Sequence, residues 1–125
     1  MPVEPLDWIA IFGGAVIAFV LGMVWFSPAM FGKAWVRGSH NIKPPSSPPV
    51  AAMVILFCGL LVLAVAVEAL SAVALNRTAG LVVLAAGLVV AGMDLFSQKD
   101  VPASVVDAAY VWACGAIMMG ASAIL

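Results

Sequence analysis

The stretch from Val50 to Leu75, VAAMVILFCGLLVLAVAVEALSAVAL, decides the fold, because its only charged residue is Glu68. A helix needs about 20 mostly apolar residues to cross the hydrocarbon core of a bilayer, and this stretch is long enough. In lipid, an isolated strand would leave its backbone groups without hydrogen-bond partners, so a helix is the expected structure. The stretch therefore predicts a transmembrane helix.

The composition of the whole chain agrees with a membrane protein. Hydrophobic residues make up 66% of its 125 residues and charged residues only 9%, with a mean hydropathy of +1.22. An ordinary soluble domain is about half apolar and about a quarter charged. These values exclude a soluble domain and a disordered chain. They also exclude a nucleic-acid-binding protein, which needs a basic surface to neutralise phosphates.

Three further apolar stretches complete a four-helix pattern, in which the predicted spans are 8–26, 50–75, 79–96 and 103–125. The connections at 76–78 and 97–102 are short, so the helices that they join should be antiparallel. The sequence thus predicts a single all-α membrane domain over residues 1–125.

The first connection is longer and has two parts. From Ser27 to Arg37, apolar and basic residues recur at helical spacing, and Pro28 suits a first helical turn. This pattern predicts a short amphipathic helix lying in the membrane interface, with Met30, Phe31, Ala34 and Trp35 on its apolar face. Residues 43–49 are rich in proline and predict an extended connector.

The basic residues of the connections predict the orientation. The first and third connections, which lie on one side, carry four Lys and Arg residues, and the opposite side carries only Arg77. Basic residues are enriched on the cytoplasmic side. We therefore expect a multi-pass protein of the bacterial inner membrane, with a cytoplasmic first connection and both termini outward. Because the bias is small, dual topology is an alternative.

Acidic residues inside the spans are candidate functional residues, because charge in a spanning helix is costly. Glu68 is either a proton-carrying or cation-binding carboxyl, an interfacial residue, or a carboxyl bonded to a neighbouring helix. Asp94, Asp107 and Tyr110 could form a polar cluster beneath the first connection, with Lys99 or Arg37 as a further member. Ordinary helix capping by Asp107 is the alternative.

Small residues recur every fourth position in three of the predicted spans. Such spacing lets helix backbones approach closely, and it supports self-association or docking on a partner membrane protein. The stripes are Gly14, Ala18 and Gly22 in the first span, Gly87 and Ala91 in the third, and Ala116 and Gly120 in the fourth.

The sequence after the first span, VWFSPAMFGKAW, is the most distinctive motif of the chain. It resembles the signature of a family of small bacterial four-helix membrane proteins known only as a domain of unknown function. That signature reads roughly Trp-Tyr-x-Pro and then Phe-Gly-x-x-Trp, with an Asp-x-x-Tyr in the last helix. Phe26 stands here in place of the usual tyrosine. The matching residues are Trp25, Pro28, Phe31, Gly32, Trp35, Asp107 and Tyr110.

The sequence contains no recognisable catalytic constellation, phosphate-binding loop or metal-ligand spacing. It therefore predicts a non-enzymatic protein with no metal and no cofactor, whose partners are the lipid bilayer and either a second copy or another membrane protein. The family resemblance implies no reaction. A small proton- or cation-coupled transporter that uses the intramembrane carboxylates is the alternative function.

Overall fold

The structure is a computed structural model that describes residues 6–43 and 49–124. Most of the predicted proline-rich connector, residues 44–48, lies outside the described residues. The described part of the chain forms five helices: α1 (Trp8–Trp25), α2 (Gly32–Gly38), α3 (Val50–Ala72), α4 (Asn76–Phe96) and α5 (Val101–Ile124). All except α2 are long and apolar enough to cross a membrane, which confirms the four-span prediction.

The connection between α3 and α4 is Val73–Leu75, so the prediction of 76–78 is wrong. Ala74 adopts a left-handed φ of 60°. The N–H of Leu75 donates to the carbonyl of Leu70, and the N–H of Ala74 donates to the carbonyl of Ser71. This pair of bonds is a Schellman motif, which ends a helix by satisfying its last carbonyls. The motif ends α3 at Ala72, three residues before the predicted end at Leu75, and α4 already begins at Asn76.

The start of α5 also differs from the prediction by two residues. Asp100 directly precedes the helix, and its Oδ1 accepts the N–H of Ala103 at 2.9 Å. This bond satisfies one of the free N–H groups of the first turn. Pro102, which the sequence placed in the connection, lies in that first turn, where its missing N–H costs nothing.

The amphipathic helix of the first connection exists as α2, but it begins at Gly32 rather than near Pro28. Ser27 to Phe31 form turns, in which the N–H groups of Gly32 and Phe31 donate to the carbonyls of Ser27 and Trp25. Met30 and Phe31 are therefore outside the helix and exposed, contrary to the prediction. Trp35 is half-buried, whereas Lys33 and Arg37 point away from the bundle.

The helix α5 forms the centre of the bundle, because it packs against each of the other four helices. Gly14 and Ala18 of α1 are buried, and Gly14 lies against Met118 of α5. Gly87 of α4 is likewise buried, against Trp112. Two of the three predicted small-residue stripes thus bring helices together inside one chain. Of the third stripe, Ala116 is exposed and Gly120 faces open space.

The bundle has two ends, and α3 packs closely at only one of them. We call the end with α2 and the α4–α5 connection the loop end, and the end with the start of α1 and the α3–α4 connection the terminal end. The helix α3 packs closely only toward the terminal end, since its buried residues begin at Leu60. Toward the loop end, Val50–Gly59 contains no buried residue, so α1 and α3 leave open space between them.

Candidate functional site

Three charged residues meet at the loop end. Lys99 Nζ lies 3.4 Å from Asp107 Oδ2 and 3.7 Å from Asp94 Oδ1, so one ammonium group bridges two carboxylates. The three side chains are mostly buried, with exposed fractions of 23% for Lys99, 13% for Asp94 and 14% for Asp107. Partial burial strengthens such ion pairs and makes the loss of one partner costly. Lys99, Asp94, Asp107 and Trp35 are called the Lys99 cluster below.

The end of α4 sets the position of Lys99. Gln98 has a φ of 63°, and the N–H groups of Lys99 and Gln98 donate to the carbonyls of Asp94 and Leu95. This second Schellman motif turns the chain back over the end of α4. Lys99 and Asp94 are therefore joined through their backbones as well as through their side chains.

The Lys99 cluster also holds α2 against the bundle. Lys99 Nζ lies 5.5 Å from the ring centroid of Trp35, within the range of a cation–π interaction. Asp100 N–H donates to the carbonyl of Gly38 at 3.0 Å, and a Cβ on Gly38 would collide with Asp100 and Ala103. The glycine thus permits α2 to approach the start of α5 closely.

Aromatic residues of the motif form a chain of contacts with Tyr110, which pairs directly with Trp25 and Phe26. We call Trp25, Phe26, Phe31, Trp35 and Tyr110 the aromatic cluster. Its ring centroids lie 4.7–6.3 Å apart in tilted and edge-to-face pairs, the geometries that aromatic rings prefer. Trp25 Nε1 donates to the carbonyl of Val106 at 3.1 Å. The motif therefore anchors the first connection to α5.

Two glycines allow the first connection and the aromatic cluster to pack closely. A Cβ on Gly32 would collide with the carbonyl of Phe26 and with the backbone of Ser27, so only glycine fits the turn there. A Cβ on Gly22 would lie 2.7 Å from the hydroxyl of Tyr110. That hydroxyl donates to the carbonyl of Ala18 at 2.8 Å, so Tyr110 bonds to α1 and not to the Lys99 cluster.

Glu68 lies at the terminal end, far from the other acidic residues. It is 5% exposed, and its Oε2 accepts the backbone N–H of Asp7 at 3.0 Å. Asp7 in turn caps α1 by accepting the N–H groups of Ile9 and Ala10, each at 3.1 Å. The positive end of the α1 dipole therefore faces two carboxylates, an arrangement that stabilises both.

Glu68 lies nearer to the end of its helix than the predicted span 50–75 implies. The helix α3 ends at Ala72, so Glu68 lies about one helical turn from its end. Glu68 and Asp94 are separated by nearly the whole of α4, whose 21 residues rise about 31 Å. The structure thus divides the predicted intramembrane residues between two ends of the bundle.

The structure brings together some of the expected residues and not others. Asp94 and Asp107 meet as expected, and of the two basic candidates, Lys99 joins them. Arg37 is exposed and lies within 4 Å of no described acidic group. Sequence reasoning missed the role of Asp7, although an aspartate directly before an apolar helix is a recognisable capping signal.

Within the described residues, no group of three or more His, Cys, Asp or Glu side chains could hold a metal ion. Three buried polar atoms at the loop end lack a hydrogen-bond partner among the described residues: Trp35 Nε1, Ser39 Oγ and Asp94 Oδ2. The chemistry that the Lys99 cluster offers is electrostatic, because its two carboxylates share one cation.

The family model described as "Protein of unknown function (DUF1761)" matches residues 9–123. The chain belongs to this family. The DUF1761 match includes all four spans, α2, the Lys99 cluster and the aromatic cluster. Neither the curated proteins nor the solved structures contain a significant match to the chain. Membership of DUF1761 therefore confirms the expected family of unknown function and supplies no reaction.

Proposed function

We propose that the chain is a non-enzymatic packing component of a membrane, which self-associates through the outer face of α4. The observation that carries this proposal is a seam of residues on that face, which we call the α4 seam. Its members are Leu81, Ala85, Leu88, Gly92 and Leu95.

The α4 seam has the spacing of a helix-pairing surface. Its members alternate four and three residues apart, the heptad spacing by which two helices pack in a left-handed crossing. Successive residues of a helix are rotated by about 100° around its axis. This rotation places the α4 seam opposite the buried face of α4, which contains Ala79, Val83 and Gly87. The seam side chains other than Gly92 are exposed.

Small residues in the α4 seam favour close approach of a second helix. Ala85 and Gly92 are seven residues apart, and a Cβ on Gly92 would meet no atom of the described chain within 4 Å. Without a hydrophobic driving force between helices in lipid, association depends on such packing. Gly92, Leu95 and Phe96 also border a shallow depression of about 290 Å3, into which a side chain of a second copy can insert.

The alternative function, a proton- or cation-coupled transporter, has less support. Glu68 accepts the N–H of Asp7, and Asp94 and Asp107 share Lys99. Carboxylates that already have partners within the chain support a role in packing. We also propose that the loop end faces the cytoplasm of a bacterial inner membrane, because it carries Lys33, Arg37, Lys43 and Lys99.

Gly92→Leu tests self-association. The larger side chain would keep the α4 seams of the two copies apart, so the variant should associate about tenfold more weakly. This factor corresponds to a loss of about 1.4 kcal/mol in the free energy of association. Association can be measured by energy transfer between labelled copies of the full chain in vesicles. Gly59→Leu is the matched control, because Gly59 of α3 also faces open space and lies outside the seam. A monomeric wild-type chain, or equal effects of the two variants, would contradict the proposal.

Glu68→Gln separates the two functions. A glutamine keeps an oxygen that can accept the N–H of Asp7, but it cannot carry a proton. If packing is the role of Glu68, this variant should associate like the wild type. A proton or cation flux through wild-type proteoliposomes that disappears in the variant would favour the transporter instead.

A further inference from the structure

Two grooves adjoin at the loop end and share Phe26 as a wall. One is basic, has a volume of about 450 Å3 and includes Lys33, Val36, Arg37 and Asn41 of α2 and its surroundings. The other is apolar, has a volume of about 570 Å3 and lies between α1 and α3. We propose that the two grooves together bind one anionic phospholipid, with its phosphate in the basic groove and an acyl chain in the apolar groove.

The basic groove suits a phosphate. Lys33 and Arg37 are one helical turn apart on the exposed side of α2, and neither lies within 4 Å of a described acidic group. The acidic residues of the loop end have other partners, since Asp94 and Asp107 pair with Lys99 and Asp100 accepts the N–H of Ala103. An anionic group is therefore the complementary partner of this surface.

The apolar groove suits an acyl chain. Its walls from α1 include Phe19 and Met23, and its walls from α3 include Ala52 and Leu56. It exists because α3 packs closely only from Leu60 onward. A groove that opens sideways from a membrane-spanning bundle, with almost entirely apolar walls, meets the lipid tails directly.

The position of the two grooves matches the geometry of a lipid. Trp35 of α2 and Pro49, directly before α3, border the apolar groove at the loop end, where α1 ends and α3 begins. We expect the headgroup region of the surrounding bilayer at this end of the spans. Phe26, at the end of α1, separates the basic part from the apolar part. A phosphate beside Lys33 thus lies at the entrance through which its own chain would enter the space between α1 and α3.

Native mass spectrometry of the full chain, released from detergent, tests this proposal by counting bound lipids. At equal concentrations, phosphatidylglycerol should remain bound in preference to phosphatidylcholine with the same acyl chains. The double variant K33Q/R37Q should lose that preference by a factor of about thirty, because each of the two basic residues contributes about 1 kcal/mol near an anionic lipid and about 1.4 kcal/mol corresponds to a tenfold change. Arg77→Gln is the matched control, because Arg77 is an exposed basic residue at the terminal end, and it should retain the preference.

A second pair of variants tests the apolar groove. Ala52→Phe should reduce the retention of both lipids severalfold, because Ala52 is a wall of the groove. Ala51→Phe should not, since Ala51 is exposed but is not a wall of the basic or the apolar groove. An undiminished preference in K33Q/R37Q, or equal effects of the two phenylalanines, would overturn the proposal. Displacement of the lipid by millimolar inorganic phosphate would show a phosphate site alone and would also overturn it.

Discussion

The backbone N–H of Asp7 donates a 3.0 Å hydrogen bond to Glu68 Oε2 and so joins the start of α1 to the end of α3. The two residues are 61 positions apart in the chain. Because Asp7 also caps α1 with its own side chain, the bond fixes both the helix terminus and its neighbour. At this end α1 and α3 are held together, whereas at the loop end they separate.

Replacing Glu68 should show how much the hydrogen bond between Asp7 and Glu68 contributes to the free energy of unfolding. Glu68→Ala leaves the half-buried N–H of Asp7 without its acceptor, so it should lower the free energy of unfolding by about 1–3 kcal/mol. Glu68→Gln should lower it less, because the amide oxygen can still accept. Ser71→Ala, which removes an exposed bond to Asn76, should change it by no more than about 0.5 kcal/mol. Denaturation in micelles, followed by circular dichroism, measures all three, and equal losses for Gln and Ala would contradict the expectation.

Removing the shared cation of the Lys99 cluster should be costly. Lys99→Met leaves Asp94 and Asp107 facing each other without compensation, so the free energy of unfolding should fall by roughly 2–4 kcal/mol. The triple variant with Asp94→Asn and Asp107→Asn as well should recover much of that loss, because the uncompensated charges are gone. The same denaturation measurement compares them. A triple variant that is less stable than Lys99→Met would show that the carboxylates have another role.

Two glycines of α1 should respond differently to the same substitution. Gly22→Ala places a Cβ 2.7 Å from the hydroxyl of Tyr110, and such overpacking typically costs about 1–3 kcal/mol. Gly14→Ala meets Met118 at an ordinary 3.5 Å and should be tolerated. Adding Tyr110→Phe to Gly22→Ala should cost less than the sum of the two, since the clashing hydroxyl is absent. Additive losses in thermal unfolding would mean that the contact is not responsible.

The left-handed residues that end α3 and α4 offer a route to a more stable protein. Ala74 and Gln98 have φ values of 60° and 63°, which glycine adopts without the steric cost of a Cβ. Ala74→Gly and Gln98→Gly should each raise the free energy of unfolding by about 0.5–1 kcal/mol. Ala72→Gly, inside the last turn of α3, should lower it by a similar amount. A lower thermal midpoint for Ala74→Gly would refute this account.

Long apolar runs were predictable because lipid permits few alternatives to a helix. The four spans were identified from composition, and their boundaries differ from the structure by three residues or fewer. The α3 boundary was missed because Ala74, a residue with no turn preference, ends the helix where Gly or Asn is usual. The start of α2 was missed because the motif residues before Gly32 form hydrogen-bonded turns that helical spacing alone does not reveal.

The polar residues were predictable as individuals but only partly as groups. Asp94 was expected in a polar cluster with Lys99 or Arg37, and Lys99 is its partner. Tyr110 shares a helical face with Asp107, yet it bonds to Ala18, because its partner depends on how closely α1 approaches α5. Such approach distances arise from the packing of distant segments, which spacing along one helix does not encode.

The central position of α5 also has a consequence for biogenesis. The helix α5 packs against every other helix and follows all of them in the sequence. During synthesis, α1 and α3 can already join through Asp7 and Glu68, but the bonds from Trp25 Nε1 to Val106 and from Tyr110 to the carbonyl of Ala18 cannot form until α5 emerges from the ribosome. We therefore expect α1, α3 and α4 to remain incompletely packed until α5, the last helix of the described chain, is inserted.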